Sequence, residues 1–315
     1  MIIENYDLKD QTWFKVGGKA KFYVEVKSKG EFYNLCQELP DFEPVKKYVI
    51  GACSNLIISD QGFDGLIIKN AIDFVEFIDD RWHIGGGTLL PVAARQVIAR
   101  GYGGLEGIGN VPGTVGGAVF GNVEAHQQSI SDYIYEVEWC NFDGVCELYK
   151  KEDCNFGYRK SKFKTDFQKE GMILGARFEF PNGDSEILKA KLDEDKARRQ
   201  DCYPRDPSCG CFFKNIELTK TSREKIGKVL GEEVVADRRV GDNFSVGLLL
   251  DRLGLKGTSV GGAMISSEHA NFIINSGEAK AQDVYDLYHK IKREVKNQVG
   301  INLENEVQFC GEFAG

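Results

Sequence analysis

Gly101–Asn122, GYGGLEGIGNVPGTVGGAVFGN, concentrates glycine far beyond the rest of the chain, and its other residues are mostly small or apolar. With no Cβ atoms in the way, backbone N–H groups in such a stretch can approach a bulky anionic ligand closely. Pro112-Gly113 marks a bend, and Val115 and Ala118–Phe120 carry enough apolar surface to hold the loop rigid. No Gly-Lys-Ser/Thr follows, so this is not a Walker loop, and the glycine spacing does not make a dinucleotide fingerprint. On these residues alone, a phosphate-binding loop and a glycine-rich turn inside a sheet stand equal.

The stretch sits in a chain of 315 residues, long enough for about two domains. A 42 % apolar and 28 % charged composition is that of a folded globular chain rather than a disordered one. The net charge of −8 argues against a nucleic-acid surface or an anionic membrane as main partner, and leaves room for a local basic pocket. No apolar run approaches the roughly 18 residues of a membrane span, and MIIENYDLKDQ lacks the build of a signal peptide. Nine cysteines without a C-x-x-C pair, and four scattered histidines, offer no metal site. The cysteines are expected to be reduced thiols in a cytoplasmic protein.

Outward from the glycine stretch, Leu89–Arg100 reads as a helix running into it and Phe74–Gly87 as a hairpin. Upstream, Lys21–Val26 alternates as a strand and Glu31–Leu39 has helical spacing. Lys47–Ile50 and Leu66–Lys69 flank the turn-rich GACSNLIISDQGFDG, Gly51–Gly65, whose small residues offer a second place for phosphate to meet backbone amides. Downstream, Tyr133–Cys140 and Ile173–Phe180 alternate, with the aromatic and basic CNFGYRKSKFK (Cys154–Lys164) between them. Asp184–Gln200 reads as a charged helix, Lys220–Gly241 as one exposed helix, and Lys280–Gln298 as the clearest helix, its apolar stripe serving the core. The closing Ile301–Phe309 alternates, with Ile301, Leu303, Val307 and Phe309 on one face and Asn302, Glu304, Glu306 and Gln308 on the other. Periodicity does not decide whether either glutamate serves a site.

Seven stretches together resemble the UDP-N-acetylenolpyruvoylglucosamine reductase family, flavoenzymes that make UDP-N-acetylmuramate for peptidoglycan. They are TWFKVGG (Thr12–Gly18), Gly51–Gly65, Leu105–Asn122, FGYRKSKF (Phe156–Phe163), PSCGCFFKN (Pro207–Asn215), Asp251–Asn275 and LENEVQFCG (Leu303–Gly311). The resemblance implies an α+β fold: an FAD-binding domain of the vanillyl-alcohol-oxidase/p-cresol-methylhydroxylase type plus an α+β substrate-binding domain. Residues 1–70 and 71–206, completed by 300–315, would be the two FAD-binding subdomains, and 207–299 the substrate domain. FAD is expected to be bound non-covalently by two separated loops, here Gly51, Ala52, Cys53, Ser54 and Asn55, and Gly109, Pro112, Gly113, Thr114, Gly116 and Gly117, with Asn122. NADPH is the implied co-substrate, a nucleotide sugar the partner, and a cytoplasmic monomer the expected state.

In the chemistry so implied, hydride from the flavin adds to the terminal carbon of an enolpyruvyl double bond. Charge then develops on the carboxylate side, and the neighbouring carbon takes a proton. Such charge needs preorganised donors. By position in the family motifs these are Arg159 and Glu306, with Glu306 preferred over Glu304 because it directly precedes Val307. The proton donor is Cys211, where the commoner family residue is serine; a neutral thiol, with pKa near about 8.5, is a better acid than an alkanol. Tyr158, Lys214 and Asn215 match positions that contact the uridine diphosphate sugar. Cys209 and Cys211 would share a face if their segment is extended, and both are expected to be reduced.

Other departures are Asn122-Val-Glu-Ala-His126 for a frequent Asn-Ala-Gly-Ala-Tyr, Asp251-Arg252 for Asp-Gln, and Gln308 for arginine. The short interval from Arg159 to Cys211 points to the subclass without a tyrosine-bearing lid. The competing reading is a flavin oxidase of the same superfamily acting on an alcohol or sugar.

Overall fold

Hydrophobic period sets most element boundaries in the computed structural model, which describes residues 1–39, 45–165, 167, 170–237, 239–240 and 242–315. Contacts divide the chain into two units, Met1–Tyr6 with Ala20–Cys53 and Asp64–Arg199, and Asp7–Lys19 with Ser54–Phe63 and Gln200–Gly315.

In the first unit, a four-stranded sheet has the order Ile3–Asp7, Lys19–Val26, Phe63–Asn70, Lys46–Ile50. Val24, Val26, Leu66 and Ile68 bury one face against Phe32, Leu35 and Cys36 of the helix Lys29–Glu38. Ser28 caps that helix by accepting from the Glu31 N–H. A five-stranded antiparallel sheet runs Cys146–Lys150, Ile134–Asn141, Gly171–Phe178, Arg81–Gly85, Val75–Ile78. Its hairpin at Phe74–Gly87 turns through Asp79 and Asp80, both left-handed, as a two-residue hairpin turn requires. Trp82, Ile84, Val137 and Phe178 of this sheet form one core with Ala93 and Val97 of the helix Leu90–Ala99 and Val115 and Val119 of the glycine stretch.

The expectation of nine reduced thiols is corrected here. Cys140 and Cys146 form a disulfide, and the other seven cysteines are outside any disulfide. The cause is register. The Asn141 N–H donates to the Val145 carbonyl at 3.0 Å, so the next pair outward, Cys140 and Cys146, is a non-hydrogen-bonded pair with Cα atoms 4.0 Å apart.

In the second unit, the sheet order is Ser208–Cys211, Phe272–Asn275, Ala263–Ile265, Ser259–Val260. The helix Ala281–Val299 lays Val284, Leu287, Tyr288, Ile291 and Val295 into the core with Phe212, Phe213 and Ile273, as its stripe requires. The single helix expected over Lys220–Gly241 is instead two, Lys220–Leu230 and Glu232–Asp237, because Gly231 takes φ +96° and ends the first; Arg238 and Gly241 lie outside the described residues. The closing segment alternates in burial over Ile301–Glu304 and then loses the pattern, with Glu306, Gln308 and Phe309 all half-buried and Cys310 buried; ladder bonding is confined to Gln308–Cys310, parallel to Leu56–Ile58.

Candidate active site

The glycine stretch folds as a loop that ends in a helix. Val115–Gly121 is a seven-residue helix that the glycine content concealed, started by Thr114, whose hydroxyl accepts from the Gly117 N–H at 3.2 Å. The Val115 and Gly116 N–H groups donate to Thr88 and Gly86 carbonyls at 2.8 Å each, which pins the helix start to the end of the sheet. That close approach is why residue 116 is glycine: a Cβ there would meet the Gly86 oxygen at 2.7 Å. At Gly109 a Cβ would strike Ala94 at 2.5 Å, so this glycine too answers to packing. Gly117 differs, being exposed, with only the Thr114 hydroxyl near a built Cβ, at 3.4 Å.

Gly51, from the other expected cradle loop, meets the stretch at Thr114. A Cβ on Gly51 would lie 2.6 Å from Thr114 Oγ1, so glycine is what allows the two loops to touch. Cys53, beside it, is buried in a left-handed conformation, and burial pushes its thiol up to about 12. The Val115, Gly116 and Gly117 N–H groups are bonded within the protein, so what suits this meeting of loops to a bulky group such as FAD is its lack of side chains, a cradle that a Cβ on Gly51 would fill.

Arg159 is held against the far end of the same helix. It sits at φ +54° in a turn closed by the Gly157–Lys160 bridge. Asn122, the left-handed C-cap of the helix, donates from Nδ2 to the Gly157 carbonyl at 2.9 Å, and Ser161 Oγ donates to the Phe120 carbonyl at 2.6 Å. Both ends of the Arg159 turn are therefore tied to the glycine stretch. Asn122 Oδ1 accepts from Ser129 Oγ at 2.7 Å, so the amide's acceptor serves the adjoining Glu124–Ser129 hairpin. Tyr158 is exposed, 5.9 Å from the Arg159 guanidinium carbon by ring centroid.

In the second unit, Cys211 ends the strand Ser208–Cys211 opposite Phe272. The ladder slips between Ser208 and Cys211, and Gly210 takes φ +75°. This corrects the shared face expected for Cys209 and Cys211, which needs an unbroken pleat. With the bulge, Cys209 enters the core and Cys211 stays half-buried. Neither is bridged.

Glu306 is brought to this strand's end. Its N–H donates to the Phe212 carbonyl at 2.9 Å, and its own carbonyl accepts from Asn55 Nδ2 at 3.2 Å and Gln308 Nε2 at 3.3 Å. The two glutamates now part company. Glu304 is exposed and pairs with Lys214 Nζ at 3.1 Å, whereas Glu306 is half-buried. Asn215 Oδ1 accepts from the Val246 N–H at 3.2 Å. Arg159 belongs to the first unit, Cys211, Lys214, Asn215 and Glu306 to the second.

Asn271 was not singled out by its sequence, yet it shapes this site. Buried, it donates to the Phe213 carbonyl at 2.9 Å and accepts from the Phe213 N–H at 3.0 Å, acting as a stand-in strand partner just after Cys211. The available signal was an asparagine inside an apolar strand pattern, HANFIIN. The second unit also holds a cleft of about 720 Å³ lined by Lys9, Lys15, Asp60 and Lys280, which none of the expected site residues enters. Asp60 is already spent there, accepting from the Ala281 and Gln282 N–H groups at the helix start.

A family model described as "UDP-N-acetylenolpyruvoylglucosamine reductase, C-terminal domain" matches residues 203–310. A UDP-N-acetylenolpyruvoylglucosamine reductase of Halalkalibacterium halodurans is 33% identical over 314 residues, 98% of this chain and 94% of its own length. That of Caldicellulosiruptor bescii is 34% identical over 315 residues, 99% and 91% of the two chains. The chain belongs to the UDP-N-acetylenolpyruvoylglucosamine reductase family. The crystal structure of the reductase from Thermus caldophilus matches with a TM-score of 0.74 at 30% identity, covering 99% of this chain and 98% of that one. The fold of this family member is thus the α+β one expected, with an FAD-binding domain of the stated type and a substrate-binding domain. Among the described residues, no helix is long and apolar enough to cross a membrane.

Proposed function

We propose that this chain reduces UDP-N-acetylglucosamine enolpyruvate to UDP-N-acetylmuramate at the expense of NADPH, with FAD bound non-covalently. Near-full-length identity to the family's reductases supports the activity. The geometric observation that carries the reading is the Glu306 N–H bond to the Phe212 carbonyl, which sets the Cys211 strand end beside the Glu306 backbone.

Gly51–Asn55 and Gly109–Gly117 hold the FAD pyrophosphate, and the contact of Gly51 with Thr114 supports a single cradle made of both loops. When bound, FAD supplies a two-electron carrier between NADPH and the enolpyruvyl double bond. Arg159, and Glu306 as a protonated carboxyl group that donates its O–H, stabilise the negative charge that develops on the carboxylate side. The Cys211 thiol gives its proton to the carbon beside the one that received hydride, and solvent restores it. Tyr158, Lys214 and Asn215 bind the uridine diphosphate sugar. Segments 1–70 and 71–206, with 300–315, carry the flavin; 207–299 carries the nucleotide sugar. The working state is a cytoplasmic monomer.

The test is optical. Anaerobic NADPH should bleach the yellow protein, and UDP-N-acetylglucosamine enolpyruvate should restore the flavin absorbance within the time of turnover. Recolouring by oxygen at a comparable rate, with the enolpyruvyl sugar adding nothing, would instead mean an oxidase.

A further inference from the structure

We propose that Asn305 is a positioning residue for Glu306, held by Tyr288 and Lys292 of the helix Ala281–Val299; this rests on the assignment of Glu306 above. Asn305 stands between the two glutamates of LENEV and uses both ends of its amide. Its Nδ2 donates to the Val307 carbonyl at 2.8 Å, closing a ring across Glu306. Its Oδ1 accepts from the Tyr288 hydroxyl at 3.3 Å, and that hydroxyl accepts from Lys292 Nζ at 3.0 Å.

The anchor at the other end is rigid. Tyr288 is 6 % exposed and stacks on Phe213 at 5.7 Å between centroids, with Phe212 at 5.9 Å. Phe213 also bridges to Asn305 through backbone. The segment carrying Glu306 is not a full strand, since ladder pairing begins only at Gln308. Its φ and ψ are therefore set by individual bonds, to Phe212, Asn55 and Gln308 at Glu306 itself and through the Asn305 ring on either side of it. Where a carboxyl group must meet developing charge, a displacement of about 1 Å can cost on the order of a hundredfold in rate. A side chain that brackets the residue from i−1 to i+1 and is itself tied to a helix limits such displacement.

The experiment follows the two half-reactions separately by stopped flow on the FAD-loaded enzyme. The variants are Asn305→Ala, Tyr288→Phe, Glu306→Gln and the Asn305→Ala/Glu306→Gln double. NADPH bleaching of the flavin should stay within about twofold of wild type in all of them. Reoxidation by the enolpyruvyl sugar should fall by about tenfold in Asn305→Ala and less in Tyr288→Phe, as expected for loss of one or two hydrogen bonds. The double variant should be no slower than Glu306→Gln, because a positioning residue has nothing left to position. Tyr288→Phe removes only a hydroxyl and keeps the packing, so it reports even if Asn305→Ala folds poorly. Wild-type reoxidation in Asn305→Ala and Tyr288→Phe, with Glu306→Gln slow, overturns the positioning role and leaves Glu306 standing. Wild-type reoxidation in Glu306→Gln overturns both. Additive losses in the double variant also overturn the proposal, since Asn305 would then act independently of Glu306.

Discussion

The side-chain amide of Asn122 donates to the carbonyl of Gly157 at 2.9 Å, across an interval of 35 residues. That bond joins two stretches that are separate in sequence: the glycine-rich helix that ends at Asn122 and the FGYRK turn that presents Arg159. Asn122 is buried and left-handed at φ +45°, a conformation asparagine accepts more readily than most residues. An asparagine here therefore does what its type is suited for, capping one element while bonding another.

Asn122→Ala should lower the unfolding free energy by about 2–3 kcal/mol, the sum of two lost side-chain hydrogen bonds, to Gly157 and from Ser129, and a strained left-handed alanine. Asn122→Gly removes the strain and should recover about 1 kcal/mol. Both should loosen the Arg159 turn alike and slow flavin reoxidation by substrate to a similar extent. Urea unfolding and stopped-flow reoxidation, run on the same preparations, separate the two effects. Equal stability of the two variants would count against the strain argument.

Adjacent glycines in the stretch should respond oppositely. Gly116→Ala forces a Cβ toward the Gly86 carbonyl at 2.7 Å and should destabilise the fold by about 1–3 kcal/mol. Gly117→Leu brings its Cβ only into ordinary contact with the Thr114 hydroxyl, at 3.4 Å, on an exposed helix position, so the fold should hold while bound flavin is lost. The checks are thermal unfolding and the ratio of 450 nm to 280 nm absorbance after gel filtration. A yellow, stable Gly117→Leu protein would remove this glycine from the cradle.

Cysteine chemistry gives a third prediction. Burial pushes the Cys53 and Cys154 thiols up to about 12 and Cys36 to about 11, so iodoacetamide at pH 8 should spare them. Exposed Cys202 and half-buried Cys211 should label first, and only Cys211 labelling should block reoxidation by substrate, with bound substrate protecting it. Cys211→Ser should keep measurable turnover, and Cys211→Ala should keep NADPH bleaching while losing reoxidation. Denatured protein should titrate seven thiols before reduction and nine after, as the Cys140–Cys146 bridge requires. Wild-type reoxidation in Cys211→Ala would remove the thiol from the reaction.

Legibility in the sequence followed the range of the interaction. Helix Ala281–Val299 and the hairpin at Phe74–Gly87 are written in local period, and both formed as their residues predict. Helix Val115–Gly121 was hidden because glycine is a poor helix former, and here its use is the close approach to Gly86. The bulge at Gly210 and the pairing of Cys140 with Cys146 depend on ladder register, which a period of two does not record. Alternation puts Glu306 and Glu304 on one polar face and does not separate them; the motif position before Val307 favours Glu306, and the Lys214 pair with Glu304 is a contact that no local pattern carries. The Asn55 bond to Glu306 spans 251 residues, and no local pattern carries that.

Asp195 offers a prediction in pH. Its carboxylate, 7 % exposed, accepts from Arg199 Nε at 2.6 Å, Arg198 Nη2 at 3.0 Å and Asn110 Nδ2 at 3.3 Å, with His126 Nε2 at 2.7 Å. Burial alone would raise its pKa, but the bonds from Arg199 and Arg198 outweigh burial and hold it below the usual aspartate value. A carboxyl with a depressed folded pKa stabilises the fold above its unfolded pKa, near about 4, and that stability is lost as pH falls through the folded value. Asp195→Asn should therefore cost about 2–3 kcal/mol at pH 7, the scale of lost hydrogen bonds to a charged group. The gap to wild type should narrow steadily below about pH 4. Because Asn110 lies inside the glycine stretch, the variant should also bind FAD more weakly at pH 7. Urea midpoints at pH 7 and pH 3.5, with a flavin titration at pH 7, decide it. A gap that is the same at both pH values would mean that Asp195 acts through packing rather than through its charge.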